Sequence, residues 1–177
     1  MRYIRLGLMC GVLLLPNGSV HAESIWQDKN VDIEKRLNIA YRYLEKGKGQ
    51  EVLSETETFI KDNPDSFDAY AVKTMVSLEM NKWDKAIESG KEMVRLKPNN
   101  FASRLGLGQA YGGKRLFDSA IPELNEAIKL SPQDPGAYYY LGLAYLESGQ
   151  RDKAKEVERK LEKINSQAAN ELAVLLR

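Results

Sequence analysis

Residues 108–115, GQAYGGKR, come close to the phosphate-binding loop pattern G-x-x-x-x-G-K-[ST]. Gly108, Gly113 and Lys114 fit that pattern, but Arg115 stands where a hydroxyl group would have to hold magnesium. The loop also needs a preceding β-strand, whereas the residues before Gly108 follow the spacing of an amphipathic helix. We interpret these glycines as sites of close helix packing and a helix end, and expect no cofactor there.

Cysteine and histidine, which thiol nucleophiles and Cys/His metal sites require, are confined to the amino-terminal segment. Cys10 is the only cysteine and His21 the only histidine. Both lie in residues 1–22, where a basic start, a short apolar run and small residues before a break are typical of a secretory signal peptide. We predict export to the periplasm and cleavage after Ala22. The mature chain would then have no cysteine nucleophile, no histidine base and no Cys/His zinc site.

Two other roles of this segment are disfavoured. A retained membrane anchor needs about 20 apolar residues, and the apolar run is shorter than that. Lipidation of Cys10 would require a small residue just before it, and Met9 stands there.

Carboxylates are the remaining candidates for acid–base chemistry. Glu156, Glu158 and Glu162 alternate with lysines and arginines at spacings of three and four residues, which is typical of a solvated helix face.

Loss of Arg2 and Arg5 with the signal peptide would leave 24 of the 26 basic residues against 25 acidic ones, a net charge of −1. A nearly neutral chain gives no electrostatic reason to expect nucleic-acid binding. We predict a protein that is not an enzyme and has no small-molecule substrate.

The elements that carry these residues recur with a fixed period. Prolines stand at positions 64, 98 and 132, and the spacing between them is constant. After a polar lead-in at 23–32, the chain divides into four frames of equal length, namely 33–66, 67–100, 101–134 and 135–168. Positions 4, 7, 8 and 11 of each frame form one face of a first helix. Each of these prolines stands at position 32 within its frame, where it ends a second helix because it cannot donate a backbone hydrogen bond.

The last two frames resemble the tetratricopeptide repeat, whose 34-residue pattern is W-x2-L-G-x2-Y, then A-x3-F, then P. The last frame matches at Tyr138, Leu141, Gly142, Tyr145 and Ala154, with tyrosine in place of tryptophan. The frame before it matches equally well, and the first two frames match in part. We expect the small residues Gly142 and Ala154 to face each other where the two helices of the pair approach closely.

The resemblance implies an all-α, right-handed solenoid of four helix pairs that binds peptides or proteins. Similar exported bacterial proteins serve pilus and secretion-system assembly, cytochrome c maturation or envelope assembly, and the resemblance does not select among these. Residues 166–177, SQAANELAVLLR, predict a short amphipathic helix that caps the last repeat, which stacked repeats need. The alternative is a segment that fills the groove or engages a second copy.

Positions 5 and 9 of each first helix lie away from the packing face, and in the family that this chain resembles they line the concave surface. We predict that an apolar or amphipathic segment of a partner protein binds there. The predicted groove residues are Leu37, Tyr41, Ala71, Met75, Leu105, Gln109, Tyr139 and Leu143.

Tyr41, Met75 and Tyr139 are the predicted groove residues best placed to anchor the partner, and we expect binding to depend little on salt. The alternative, which applies best to Ala71 and Leu105, is packing between adjacent first helices. The family's clamp for a terminal carboxylate uses Lys and Asn, which are absent from these positions. The alternative function is a self-associating subunit that stacks through its terminal repeats.

Overall fold

The computed structural model describes residues 24–27 and 31–177, and every regular element in these residues is an α-helix. In chain order the helices are α1 Ser24–Gln27, α2 Ile33–Glu45, α3 Gly49–Asp62, α4 Phe67–Glu79, α5 Trp83–Leu96, α6 Phe101–Gly113, α7 Phe117–Leu130, α8 Pro135–Glu147, α9 Arg151–Glu162 and α10 Ser166–Leu175. The predicted all-α solenoid of four helix pairs and a terminal helix is confirmed. The predicted signal peptide and its cleavage site lie outside the described residues. No helix in the described ranges is long and apolar enough to cross a membrane.

The first helix of each pair begins at a fixed register because a polar side chain caps it. In each case the side chain of the residue before the helix accepts a hydrogen bond from the backbone N–H three residues later. The four caps, which recur with the period of the prolines, are Asp32, Ser66, Asn100 and Asp134. Asn165 caps α10 in the same way.

The turn within each pair uses one residue with a left-handed backbone. These residues are Gly47 (φ 74°), Asn81 (φ 55°), Arg115 (φ 64°) and Gly149 (φ 80°). Glycine adopts this conformation without a steric cost, and asparagine tolerates it better than most residues. At Arg115, a bond of 2.7 Å from Nη1 to Oε2 of Glu147 and a position over the Phe117 ring hold the side chain in place.

Small residues let neighbouring helices approach closely, although not always the helices that the sequence suggested. A Cβ atom on Gly108 would lie 2.7 Å from Cγ of Leu124 in the second helix of the same pair. A Cβ atom on Gly142 would instead collide with the side chain of Leu172 in α10. The nearest neighbour of Gly142 on this face is therefore Leu172 of α10 rather than Ala154 of α9.

The core around the second helix pair is unusually polar. Lys73 is 6% exposed and stands at position 7, where the other frames have Ile39, Leu107 and Leu141. Its Nζ lies 3.3 Å from Oε1 of Glu88 and 3.8 Å from Oε1 of Glu57. These two carboxylates balance the buried ammonium charge, which would otherwise be costly to remove from water.

The predicted polar lead-in at 23–32 is wrong for its middle part. Ile25 is fully buried, and the ring of Trp26 stacks on Phe59 of α3 with centroids 4.4 Å apart. The buried side chain of Arg36 donates a hydrogen bond to the Ile25 carbonyl and lies over the Trp26 ring. Helix α1 thus covers the amino-terminal end of the core.

Helix α10 packs as the first helix of a further pair would pack. It contacts both α8 and α9, and Ala168, Ala169 and Leu172 are fully buried. When α10 is aligned with the other first helices by its cap, these residues fall at positions 3, 4 and 7. Helix α10 therefore caps the end of the stack, as predicted, and does not fill the groove.

Candidate functional site

The first helices form the inner layer of the stack. Helix α2 packs against α4, α4 against α6, α6 against α8 and α8 against α10, whereas the second helices pack mainly against first helices. The layer in which neighbouring repeats approach one another more closely is the concave side of a superhelix. The solvent-facing sides of α2, α4, α6, α8 and α10 therefore line the concave surface, which is the candidate interaction site.

The predicted residues at position 9 lie on this surface with different degrees of exposure. Tyr41 is 42% exposed, and Met75, Gln109 and Leu143 are half-buried. In α10 the corresponding residue is Val174, which is 62% exposed. Val174 of α10 thus adds a fifth residue to the row of position-9 residues on the concave surface, and the four sequence frames did not include it.

The predicted residues at position 5 belong to the packing between first helices. Leu37, Ala71 and Leu105 are half-buried, and Leu37 and Leu105 pack against the clusters of core residues around them. Tyr139 is only 3% exposed and packs with Ala168 and Leu172 of α10. The expectation that Tyr139 anchors a partner is wrong, because α10 covers it.

The burial of Tyr139 also changes its acidity. Removal of the phenol from water raises its pKa, and the nearby carboxylate of Glu171 raises that pKa further. The ring contacts Tyr140 edge-on, with centroids 5.7 Å apart. Replacement of Tyr139 would therefore disturb the fold rather than report on binding.

Tyr140 is half-buried on α8 and is a candidate site residue that the sequence analysis did not predict. Burial raises the pKa of its phenol to about 12, and Tyr139, Glu79 and Tyr41 raise it as well, while a hydrogen bond with the Gln109 side chain acts in the opposite direction. Tyr41, Glu79, Gln109 and Tyr140 come from α2, α4, α6 and α8. The pKa of Tyr140 thus responds to side chains on the first helices of the three preceding repeats.

The sequence did contain a signal for Tyr140. The predicted groove used positions 5 and 9 of the first helices, but positions 2, 6, 9 and 13 also follow the helical period. Tyr140 is at position 6 and Glu79 at position 13. We call positions 2, 6, 9 and 13 of the first helices, with their α10 counterparts, the concave stripe.

The concave stripe is acidic. Its charged residues are Glu34, Glu45, Asp68, Glu79, Glu147 and Glu171, and it contains no lysine or arginine. Glu147 is paired with Arg115 at 2.7 Å. Within residues 31–177, Glu45 and Glu79 form no ion pair, so their negative charge is directed to solvent.

The two chemical motifs considered in the sequence have structural explanations. In residues 108–115, Gly108 packs on Leu124, Gly113 lies against the Trp83 ring and Lys114 pairs with Asp84. On α9, Glu156 pairs with Lys160 at 2.9 Å, and both side chains are exposed. The glycines serve packing, and the charged face of α9 is solvated.

Comparisons with known proteins agree with this architecture. A family model described as TPR repeat matches residues 117–149, and one described as Tetratricopeptide repeat matches residues 135–167. The solved structure of a thermophilic TPR protein from Thermus thermophilus shares the fold, with a TM-score of 0.65 and 21% identity over 81% of this chain and 82% of that one.

Two relatives match part of the chain. The DnaJ homolog subfamily C member 3 of Homo sapiens is 27% identical over 105 residues, which are 59% of this chain and 21% of that protein. The formate-dependent nitrite reductase complex bifunctional subunit NrfFG of Haemophilus influenzae is 35% identical over 106 residues, 56% of this chain and 27% of that protein. The chain thus spans about a quarter or less of the length of these relatives. The two family models identify tetratricopeptide repeats within residues 117–167, and the regular caps and the shared solenoid fold show that the preceding helix pairs continue the same architecture.

Proposed function

We propose that this protein is a non-enzymatic interaction scaffold that binds an apolar or amphipathic segment of a partner protein on its concave surface. The observation that carries this proposal is the continuous inner layer of first helices, on which Tyr41 and Met75 keep part of their surface exposed. Aromatic residues that keep part of their surface exposed in a concave site are suited to partner binding, because they bury a large area at a low entropic cost.

The relatives support a role among protein assemblies. One is named as a DnaJ homolog and another as a subunit of a nitrite reductase complex. Within the wider proposal, we favour an assembly factor for a multiprotein system of the cell envelope, such as a pilus, a secretion system or a cytochrome maturation system.

Replacement of Tyr41 and Met75 by alanine should weaken partner binding by more than about fivefold, because each truncation removes buried contact area at the interface. The measurement is co-purification after crosslinking in native cells, followed by titration of the recovered partner. Leu130→Ala is the control, since Leu130 is 40% exposed but lies at the end of a second helix. A partner retained equally by the double variant and the control would exclude the concave surface as its site.

We also propose that the protein is exported and cleaved between Ala22 and Glu23. This rests on the basic start and the small residue at position 22. Mass spectrometry of the native protein should show Glu23 at the amino terminus. An intact Met1 in an envelope fraction would contradict the proposal.

Self-association through the terminal repeats is the weaker candidate. Both ends of the described stack have a covering element, since Ile25 at one end and Leu172 at the other are fully buried. The exposed apolar surface on α10 consists of Val174 and Leu175, at 62% and 46% exposure. Val174 lies with the other position-9 residues on the concave surface, which favours binding of a partner protein there over stacking of a second copy at the end.

A further inference from the structure

The middle of the concave stripe combines negative charge with aromatic rings. Tyr41 is 42% exposed, and Glu45 follows it by one helical turn on the same face. On the next first helix, Glu79 is exposed one turn after Met75. Gln109 and Tyr140 complete the set from α6 and α8, and we call Tyr41, Glu45, Glu79, Gln109 and Tyr140 the tyrosine–glutamate patch.

Within the described part of the chain, the carboxylates of this patch have no cation of their own. Glu147, on the same stripe, pairs with Arg115 at 2.7 Å, and many other acidic side chains of the described residues have similar partners. Among residues 31–177, Glu45 and Glu79 have no such partner. The whole chain is nearly neutral, with 26 basic and 25 acidic residues, so a stripe with acidic residues alone is a local feature.

Carboxylates beside tyrosine rings favour a cation. The face of an aromatic ring attracts an ammonium or guanidinium group, and a carboxylate next to it adds a charge-assisted hydrogen bond. The same patch repels acidic segments, because like charges in a concave surface are poorly screened over a few ångströms. Apolar neighbours at Met75 and Leu143 would hold the aliphatic part of the bound segment.

We propose that the tyrosine–glutamate patch selects a basic amphipathic segment and receives one lysine or arginine side chain between Tyr41 and Glu79. This inference rests on the proposed function and names the chemistry of its partner. It also changes an expectation from the sequence, because binding should weaken as the salt concentration rises. The apolar residues of the segment supply contact area, and the cation supplies selectivity.

The test uses a phage-displayed library of random peptides selected on the purified protein. We expect the enriched peptides to carry lysine or arginine next to apolar residues. A synthetic copy of an enriched peptide should bind Glu79→Gln about two- to fivefold more weakly than the parent protein, which is the size of effect of a partly exposed ion pair. Glu162→Gln is the matched control, because it removes an exposed carboxylate from α9, outside the concave surface.

The outcomes separate this inference from the proposed function. Enriched peptides that lose binding to Tyr41→Ala but contain no excess of basic residues would leave the groove proposal standing and overturn the basic selectivity. Equal weakening by Glu79→Gln and Glu162→Gln would also overturn it, since the effect would then be one of net charge. If no enriched peptide is affected by Tyr41→Ala, both the selectivity and the groove proposal fail.

Discussion

We expect Leu172→Ala to lower the free energy of unfolding by about 3 kcal/mol, the usual cost of emptying a fully buried leucine site. Leu172 is fully buried in α10, and its side chain fills the space opposite Gly142. No side chain on Gly142 can move into the resulting cavity. The measurement is equilibrium unfolding in urea, with the transition followed by circular dichroism.

Leu175→Ala is the control for this substitution. Leu175 lies on the same helix but is 46% exposed, so its truncation should change the stability by much less than that of Leu172. If the two variants are equally stable, α10 does not pack on α8 as a further first helix. The burial of Tyr139 would then also be in doubt.

Lys73→Leu should raise the free energy of unfolding by about 1–2 kcal/mol, because a buried ion pair is often less favourable than an apolar side chain of similar volume. Glu57 keeps a partner in this variant, since its Oε1 lies 2.6 Å from Nζ of Lys85. Glu88 is exposed and returns to water. Urea unfolding of the variant and the parent protein measures the difference.

Lys73→Ala is the matched comparison and should lower the stability by about 2 kcal/mol, since it leaves a cavity where the lysine stem packed. The two variants remove the same charge and differ only in how they fill the site. If leucine destabilises as much as alanine, the ammonium group contributes net stability and the reasoning from burial fails.

The repeat architecture could be predicted from local signals. Caps at Asp32, Ser66, Asn100 and Asp134 recur with the same period as the prolines at the ends of second helices, and both act through the backbone nearest to them. Such features need no knowledge of distant contacts. The helix bounds therefore follow the sequence closely.

The errors at the candidate site come from contacts between repeats. Position 5 faces away from the second helix of the same pair, and for this reason Tyr139 is predicted to line the groove. Whether a residue at position 5 is exposed depends, however, on the first helix of the following repeat. That helix is α10, whose cap Asn165 comes too soon after Asp134 to fit the frame length, so the frames did not show it as a repeat. Tyr140 was missed for a related reason, because its neighbours Glu79 and Tyr41 lie two and three repeats earlier in the chain.

The lead-in was misjudged because its composition is polar on average. Its apolar residues Ile25 and Trp26 pack into the core, and they are held by Arg36 and Phe59, which lie in different helices. Arg36 occupies position 4 of the packing face, where an apolar residue was expected. A charged residue at that position could have indicated that a further segment covers it and supplies a carbonyl oxygen as its hydrogen-bond acceptor.

Site-specific photocrosslinking in native cells tests the central claim most directly. A photoreactive phenylalanine analogue replaces Tyr41 on the concave surface in one strain, and Leu130 at the end of a second helix in another. Both sites are similarly exposed, at 42% and 40%. We predict a crosslink to one partner protein from position 41 and none to that partner from position 130. The same crosslink from both positions, or from position 130 alone, would contradict binding on the concave surface.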